Sequence, residues 1–333
     1  MLRFRDLSLP DLQAALSTKG LTLDCGGVRL RVRSPLSSLA ARLQRVYGAF
    51  PVTASEGVFD VTASLGPPPG WRRVVRRQVV FVVDGNQPFE PFPADTDLPL
   101  LEWGFNWCIA HRSHHRLMLH AGVVERDGCA LVLPALPGSG KSTLTAALST
   151  RGWRLLSDEF GAVSLEDGQM VPMLRPVALK NESIDIIRRF APEAVFGPDF
   201  PRTRKGTVAH LAPDTHSVDQ RQVTARPIAV LFPRFTAGAQ PLLEPLPRAF
   251  AFAKLAANSF NYSLLGPAGF AAMHRLIRET VSYRIGYGSL ADALEMVERL
   301  YAEMVVAKPP AASTEMQGTQ ALSALAPALQ PTA

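Results

Sequence analysis

The stretch 135–142, ALPGSGKS, stands one residue away from a phosphate-binding loop of the form G-x-x-x-x-G-K-[ST]. Ala135 occupies the position of the first glycine, at a strand exit where a methyl group is tolerated if φ is negative. Gly138 and Gly140 fall where the backbone most needs freedom. In such a loop successive N–H groups and the following helix N-terminus hold phosphate oxygens. Gly138, Ser139, Gly140, Lys141, Ser142 and Thr143 are therefore the candidate nucleotide-binding residues. The Lys141 ammonium would reach the terminal phosphates and the Ser142 hydroxyl would complete a Mg²⁺ shell. Sixteen or so residues on, WRLLSDEF carries the adjacent acids Asp158 and Glu159. One acid can serve the metal while the other accepts the proton of a hydroxyl nucleophile. Neighbouring residues of a true strand point to opposite faces, so both acids serve one site only if the strand is already turning there. The simpler alternative is one metal acid and a solvated neighbour. His120, in LMLHAG, lies in an otherwise apolar strand, and on that ground alone reads as a core residue.

The elements that must position these groups are legible around them. ALVLPAL before the loop is an apolar strand and STLTAALSTRG after it is a helix, which is the context the motif requires. LMLHAGVVERDGCALVLPAL reads as two strands joined at Asp127-Gly128. PLLEWGFNWCIAHRSHHR reads as a helix, and RLLSDEFGAVSL and VPMLRPVALK as strand regions. Residues 184–196 read as a short helix. PDFPRTRKGTVAHLAPD reads as an irregular surface loop, basic enough to close over a nucleotide and bring Arg204 to the reacting phosphate and Lys205 to the phosphate tail. A solvated basic loop is the plain alternative. His210 belongs to that loop or packs beside it. Lys180 reads most simply as an exposed lysine at a helix start, against a phosphate or substrate contact. ARPIAVLFPRF is a core strand, two helices follow, YRIGY is a short strand, and SLADALEMVERLYAEMV is a last helix capped by Ser289. The strands do not alternate with helices as in a doubly wound sheet.

Residues 1–95 read as a small α+β domain. It has a hairpin at Gly26-Gly27, an amphipathic helix ending near Gly48, and strands in FDVTASL and RQVVFVVDGNQPFEPF. Residues 96–307 would form the phosphate-loop domain. Residues 308–333, rich in Pro, Ala, Ser, Thr and Gln, read as a disordered tail. The chain has 333 residues and a formal net charge of +6, which mildly favours acidic ligands. No basic arm suggests nucleic acid, and no apolar run reaches the ~18 residues of a membrane span. The expectation is a cytoplasmic protein with neither nucleic acid nor membrane as partner. Three widely spaced cysteines suit reduced thiols. His111, His114 and His115 read as surface residues.

Together these pieces, LHAGVVERDGCALVLPALPGSGKSTLTAALSTRGWRLLSDEF, resemble the HPr kinase/phosphorylase catalytic domain, and more closely the HPr kinase-related kinase A group. The resemblance is tight over 119–160 and weaker to about residue 305. It implies an α/β fold of mixed α+β character, with a P-loop kinase core of the HPr kinase/phosphoenolpyruvate carboxykinase type. It implies ATP and Mg²⁺ as cofactors, and a hydroxyl acceptor on a peptide or small protein, with a small molecule as the other acceptor class. By the resemblance Lys141 binds phosphates and His120 lies near the reacting groups. Asp158 is taken as metal ligand and Glu159 as base or metal support. Family members tend to assemble as homo-oligomers. Glu159 departs from the family's second Asp. RPVALKNESI replaces the Gly-rich signature linked to phosphorolysis, so neither the reverse reaction nor HPr as substrate is implied. A phosphate-loop ATPase or switch, and a non-catalytic nucleotide-binding protein, are the competing functions.

Overall fold

The computed structural model describes residues 2–52, 58–135 and 138–307; Leu136, Pro137 and the tail 308–333 lie outside the described residues. The first elements are α1 (Leu9–Ser17), β1 (Leu21–Asp24), β2 (Arg29–Arg33), α2 (Ser37–Val46), β3 (Val61–Gly66), β4 (Gln78–Val83) and β5 (Phe92–Pro93). Then come α3 (Asp97–Arg112), β6 (Arg116–Arg126), β7 (Cys129–Pro134), α4 (Lys141–Ser149), β8 (Arg154–Ser157), β9 (Phe160–Ser164) and β10 (Met170–Val171). The chain continues through β11 (Val177–Lys180), α5 (Glu182–Phe190), β12 (Phe200–Thr203), β13 (Gly206–Leu211), α6 (Thr215–Asp219) and β14 (Arg226–Phe235). It ends with β15 (Leu242–Pro245), α7 (Arg248–Ala257), α8 (Tyr262–Leu265), α9 (Pro267–Glu279), β16 (Val281–Tyr287) and α10 (Leu290–Ala307). The result is a mixed α/β fold with three sheets.

The first sheet has the order β1-β2-β3-β4-β5, with the β1–β2 hairpin turning at Gly26-Gly27 as the sequence suggests. The second runs β10-β9-β6-β7-β14-β16-β15, with β8 also paired to β6. Its β7–β14 and β14–β16 pairs are parallel and the others antiparallel. The third is β11-β13-β12. Here the sequence reading of PDFPRTRKGTVAHLAPD is corrected: Phe200–Leu211 is a β-hairpin, not an irregular loop. Pro198 and Pro213 flank the hairpin and Pro201 sits at the register shift of β12 between Phe200 and Thr203, Arg204-Lys205 form the turn, and Gly206 at φ +84° lets the second strand begin. Backbone pairing with β11 outweighs the charged, proline-marked composition.

Strand alternation decides what faces α4. Along β6, Leu117, Leu119, Ala121 and Val123 belong to one buried cluster and Met118 and Val124 to the other. His120 and Gly122 share the parity of Met118, the face on which α4 packs. Gly122 is required there, because a Cβ would come 2.2 Å from the Thr145 hydroxyl oxygen on α4. The larger cluster runs from Phe4 through Phe105, Leu144 and Phe160 to Tyr301, so residues before and after position 95 share one core. Cys25, Cys108 and Cys129 are buried free thiols. Ser289 accepts from the Asp292 amide at the start of α10, the cap the sequence suggests. No helix among the described residues is long and apolar enough to cross a membrane.

Candidate active site

β7 delivers the chain into the loop and α4 begins at Lys141. Gly138 and Gly140 take φ of +85° and +91°, a region that side chains disfavour. Gly140 has no room for a Cβ, which would stand 2.5 Å from the Tyr287 hydroxyl. Ala135 is buried and is not among the described residues with positive φ, as a methyl at a strand exit requires. Two strand ends hold the loop from below: the Phe235 amide donates to the Ser139 carbonyl at 3.0 Å, and the Tyr287 hydroxyl meets the Gly140 carbonyl at 3.4 Å. Ser139 Oγ is buried and without a hydrogen-bond partner. Ser142 and Thr143 follow Lys141 in the first turn of α4, half-buried, where backbone N–H groups have no partner within the helix.

β8 and β9 are two parts of one edge along β6, interrupted at the acids. Ser157 pairs with Val123 and Phe160 with His120, and Asp158-Glu159 form the bend between them. The Ser157 hydroxyl makes the bend, accepting from the Glu159 and Phe160 amides at 3.3 and 3.0 Å. The bend is the condition on which both acids can serve one site, and it brings both to Lys141. The Lys141 ammonium donates to the Asp158 carbonyl oxygen, lies 3.1 Å from Asp158 Oδ1 and 3.9 Å from Glu159 Oε2. His120 Nε2 is 3.4 Å from Glu159 Oε1. Lys141 and Asp158 are buried; the Glu159 side chain is 35% exposed and forms the open side of the cluster. Partial burial alone would raise the Glu159 carboxyl, but the His120 hydrogen bond and the charge of Lys141, with Lys180 beyond, hold it down to about 2.

Lys180, exposed at the end of β11, lies close enough to feel the charges of this cluster. Its ammonium is lowered by desolvation first and then by Lys205 and Lys141, against the pull of Glu159 and Asp158. The Ser183 hydroxyl fastens the Lys180 backbone, accepting from its amide at 2.8 Å and donating to its carbonyl at 2.6 Å. Lys205, at the β12–β13 turn, is thus near enough for Lys180 to feel its charge. Arg204 at the same turn goes elsewhere: its guanidinium lies 5.2 Å from the Phe92 ring centroid and 6.0 Å from that of Trp103. His210 points into the core, buried beside Phe200, with its Nδ1 unpartnered. His111, His114 and His115 are exposed.

Sequence reasoning missed the groups that support the cluster. Asn258 brackets His120: its side-chain amide donates to the His120 carbonyl at 2.9 Å and its own carbonyl accepts from the His120 amide at 3.0 Å. Asn261 does the same one turn down, with Oδ1 on the Met118 amide at 2.9 Å and Nδ2 on the Arg116 carbonyl at 2.8 Å. The paired asparagines of NSFN were the available signal. A cleft of about 750 Å³ opens beside the loop, lined by Gly138, Ser139, Phe232, Lys254, Asn258 and Arg284. A second, of about 680 Å³, lies at the far end of α4 by Ser149 and Thr150, away from Lys141.

Among the described residues, no three His, Cys, Asp or Glu side chains gather as a metal cage. Mg²⁺ bound with a nucleotide needs fewer protein ligands, because phosphates and water fill most of its shell. Asp158, Glu159 and Ser142 are oxygen donors of the right hardness, and the orphaned Ser139 hydroxyl and open helix N-terminus suit phosphate. No protein-family model matches the chain, and no curated protein matches it.

Proposed function

We propose that the chain is an ATP- and Mg-dependent kinase that transfers the γ-phosphoryl group to a hydroxyl, that of a Ser or Thr in a peptide or small protein. The observation that carries this reading is one cluster. A loop-and-helix lysine, two carboxylates on a bend and a histidine lie within 3.1 to 3.9 Å of one another along Lys141–Asp158, Lys141–Glu159 and Glu159–His120. We further propose that residues 96–307 carry a core of the HPr kinase/phosphoenolpyruvate carboxykinase type, with residues 1–95 as an α+β domain sharing its buried interior.

In the transfer the acceptor oxygen forms a bond to the γ-phosphorus, the bond from that phosphorus to the β–γ bridging oxygen breaks, and ADP leaves. Asp158 and Ser142 would hold Mg²⁺, which would supply charge neutralisation on the phosphate oxygens and leave Glu159 free of the metal. The loop amides and the Lys141 ammonium hold the phosphate tail. The acceptor's proton goes to the Glu159–His120 pair. A carboxylate held near 2 is a weak base at neutral pH. Lys141 is one of the cations that hold it there. When the ammonium turns toward phosphate, Glu159 loses that charge and gains proton affinity. His120 keeps the carboxylate oriented, and Asn258 keeps His120 in place. Nucleotide binding thus prepares the base.

The test is ATP consumption by the purified protein with and without candidate acceptors, together with ³²P transfer into peptide and small-molecule fractions. Turnover that starts only with a Ser- or Thr-bearing acceptor, and stops in Lys141→Met, supports the kinase. Equal turnover on water alone points to an ATPase or switch. Nucleotide binding with no turnover on any acceptor points to a non-catalytic role.

A further inference from the structure

Residues 71–77, WRRVVRR, lie between β3 and β4 and carry no part of the candidate active site. Trp71–Arg73 is a single 3-10 turn, closed by the Val74 and Val75 amides donating to the Trp71 carbonyl at 3.1 and 3.0 Å. Trp71 is 61% exposed, Val74 77% and Val75 55%. Arg73, Arg76 and Arg77 are exposed as well, and the Arg72 guanidinium stacks over the Trp71 ring at 4.0 Å. The ion pairs of the surrounding region belong to other residues: Arg42 with Asp97, Arg112 with Asp84, Arg202 with Asp95. Among the described residues none of the four arginines takes a carboxylate. Arg33 adds a further cation at the same end of the sheet, because β2 and β3 run parallel with Arg33 in register with Ser64. Asp95, next to the Ala94 whose amide donates to the Arg77 carbonyl, lies 3.8 Å from Arg202.

Three exposed apolar side chains ringed by arginines that take no carboxylate among the described residues need a surface that is apolar just beneath an anionic layer. A specific protein interface takes about 800 Å² from each partner, more than one seven-residue turn offers. A nucleic acid would engage the arginines but leave Val74 and Val75 in water. A bilayer needs no shaped partner. It accepts arginines at its headgroups, an indole at the interface and small apolar side chains at the acyl boundary. We propose that this turn docks the protein on an anionic phospholipid surface. The sequence-based expectation of no membrane partner rests on the lack of a spanning segment, which surface docking does not require.

The proposal is independent of the kinase reading and is tested on the full chain by co-sedimentation with vesicles. Neutral phosphatidylcholine vesicles are compared with vesicles containing about one-third phosphatidylserine. Partition onto the anionic vesicles is expected to exceed that onto neutral ones, and to fall steeply as salt rises from about 0.1 to about 0.5 M. Each arginine near such a surface contributes about fivefold, so Arg73→Ser with Arg76→Ser lowers partition about 25-fold. Trp71→Ala lowers it while keeping the salt dependence, and circular dichroism confirms that these exposed variants stay folded. Equal partition on neutral and anionic vesicles overturns the proposal. So does wild-type partition by the double arginine variant, or retention on RNA with none on vesicles.

Discussion

Replacing Lys141 by Met removes the only cation within 4 Å of Asp158 among the described residues. Asp158 and Lys141 have side-chain exposures of 6% and 8%, so the carboxylate left behind is both buried and uncompensated. Breaking a fully buried pair costs about 3–5 kcal/mol. This one shares its lysine with the more exposed Glu159, so about 2 kcal/mol is expected. Asp158→Asn should cost a similar amount, and the double variant clearly less than the sum, because each single change strands the other's partner. Urea unfolding of the four ligand-free proteins, at constant m-value, measures this cycle. Unchanged stability in both single variants, or full additivity, would refute the claim that Lys141 is held by Asp158 before any nucleotide arrives.

Three further outcomes follow from the same geometry. Glu159→Gln is expected to lower transfer at least ~100-fold while leaving nucleotide affinity nearly unchanged, measured by single-turnover kinetics beside calorimetric binding. Gly140→Ala should abolish nucleotide binding and lower stability by ~1–2 kcal/mol, since φ is +91° and the methyl meets Tyr287; normal binding by this variant contradicts the loop geometry. His210 is buried and lowered to about 4, chiefly by desolvation, with Arg175 and Lys180 adding to it. Its folded pKa lies below the unfolded value of about 6.5, so protons favour the unfolded chain. The stability this histidine supports is complete above pH ~6.5 and lost as pH falls toward ~4. His210→Phe should flatten that part of the stability–pH profile, and an unaltered slope would show that another group sets it.

Much of the candidate site's geometry was legible because its parts are local. The loop, the apolar strand before it and the helix after it lie within about twenty consecutive residues, and glycine placement with hydrophobic runs marks each of them. The acids follow on the next strand, and the need for a bend was stated by strand geometry before Ser157 supplied it. What was not legible depends on distant pairing. The β12–β13 hairpin carries a surface-loop composition and exists because β11 offers it an edge. Arg204, expected at the phosphates, stacks on Phe92 and Trp103, which come from elements a hundred residues earlier. Lys180 feels the charges of the acids from the end of β11 in the third sheet, and Asn258 reaches His120 from after α7. None of these has a short-range signature.

The most direct test is a structure of the protein with a non-hydrolysable ATP analogue and Mg²⁺. The phosphates should lie across the loop at the N-terminus of α4, with the Lys141 ammonium within about 4 Å of a phosphate oxygen and Glu159 and His120 still paired beside the γ-phosphate. A nucleotide bound elsewhere, or Lys141 more than about 6 Å from every phosphate and still on Asp158, would contradict the proposed kinase function.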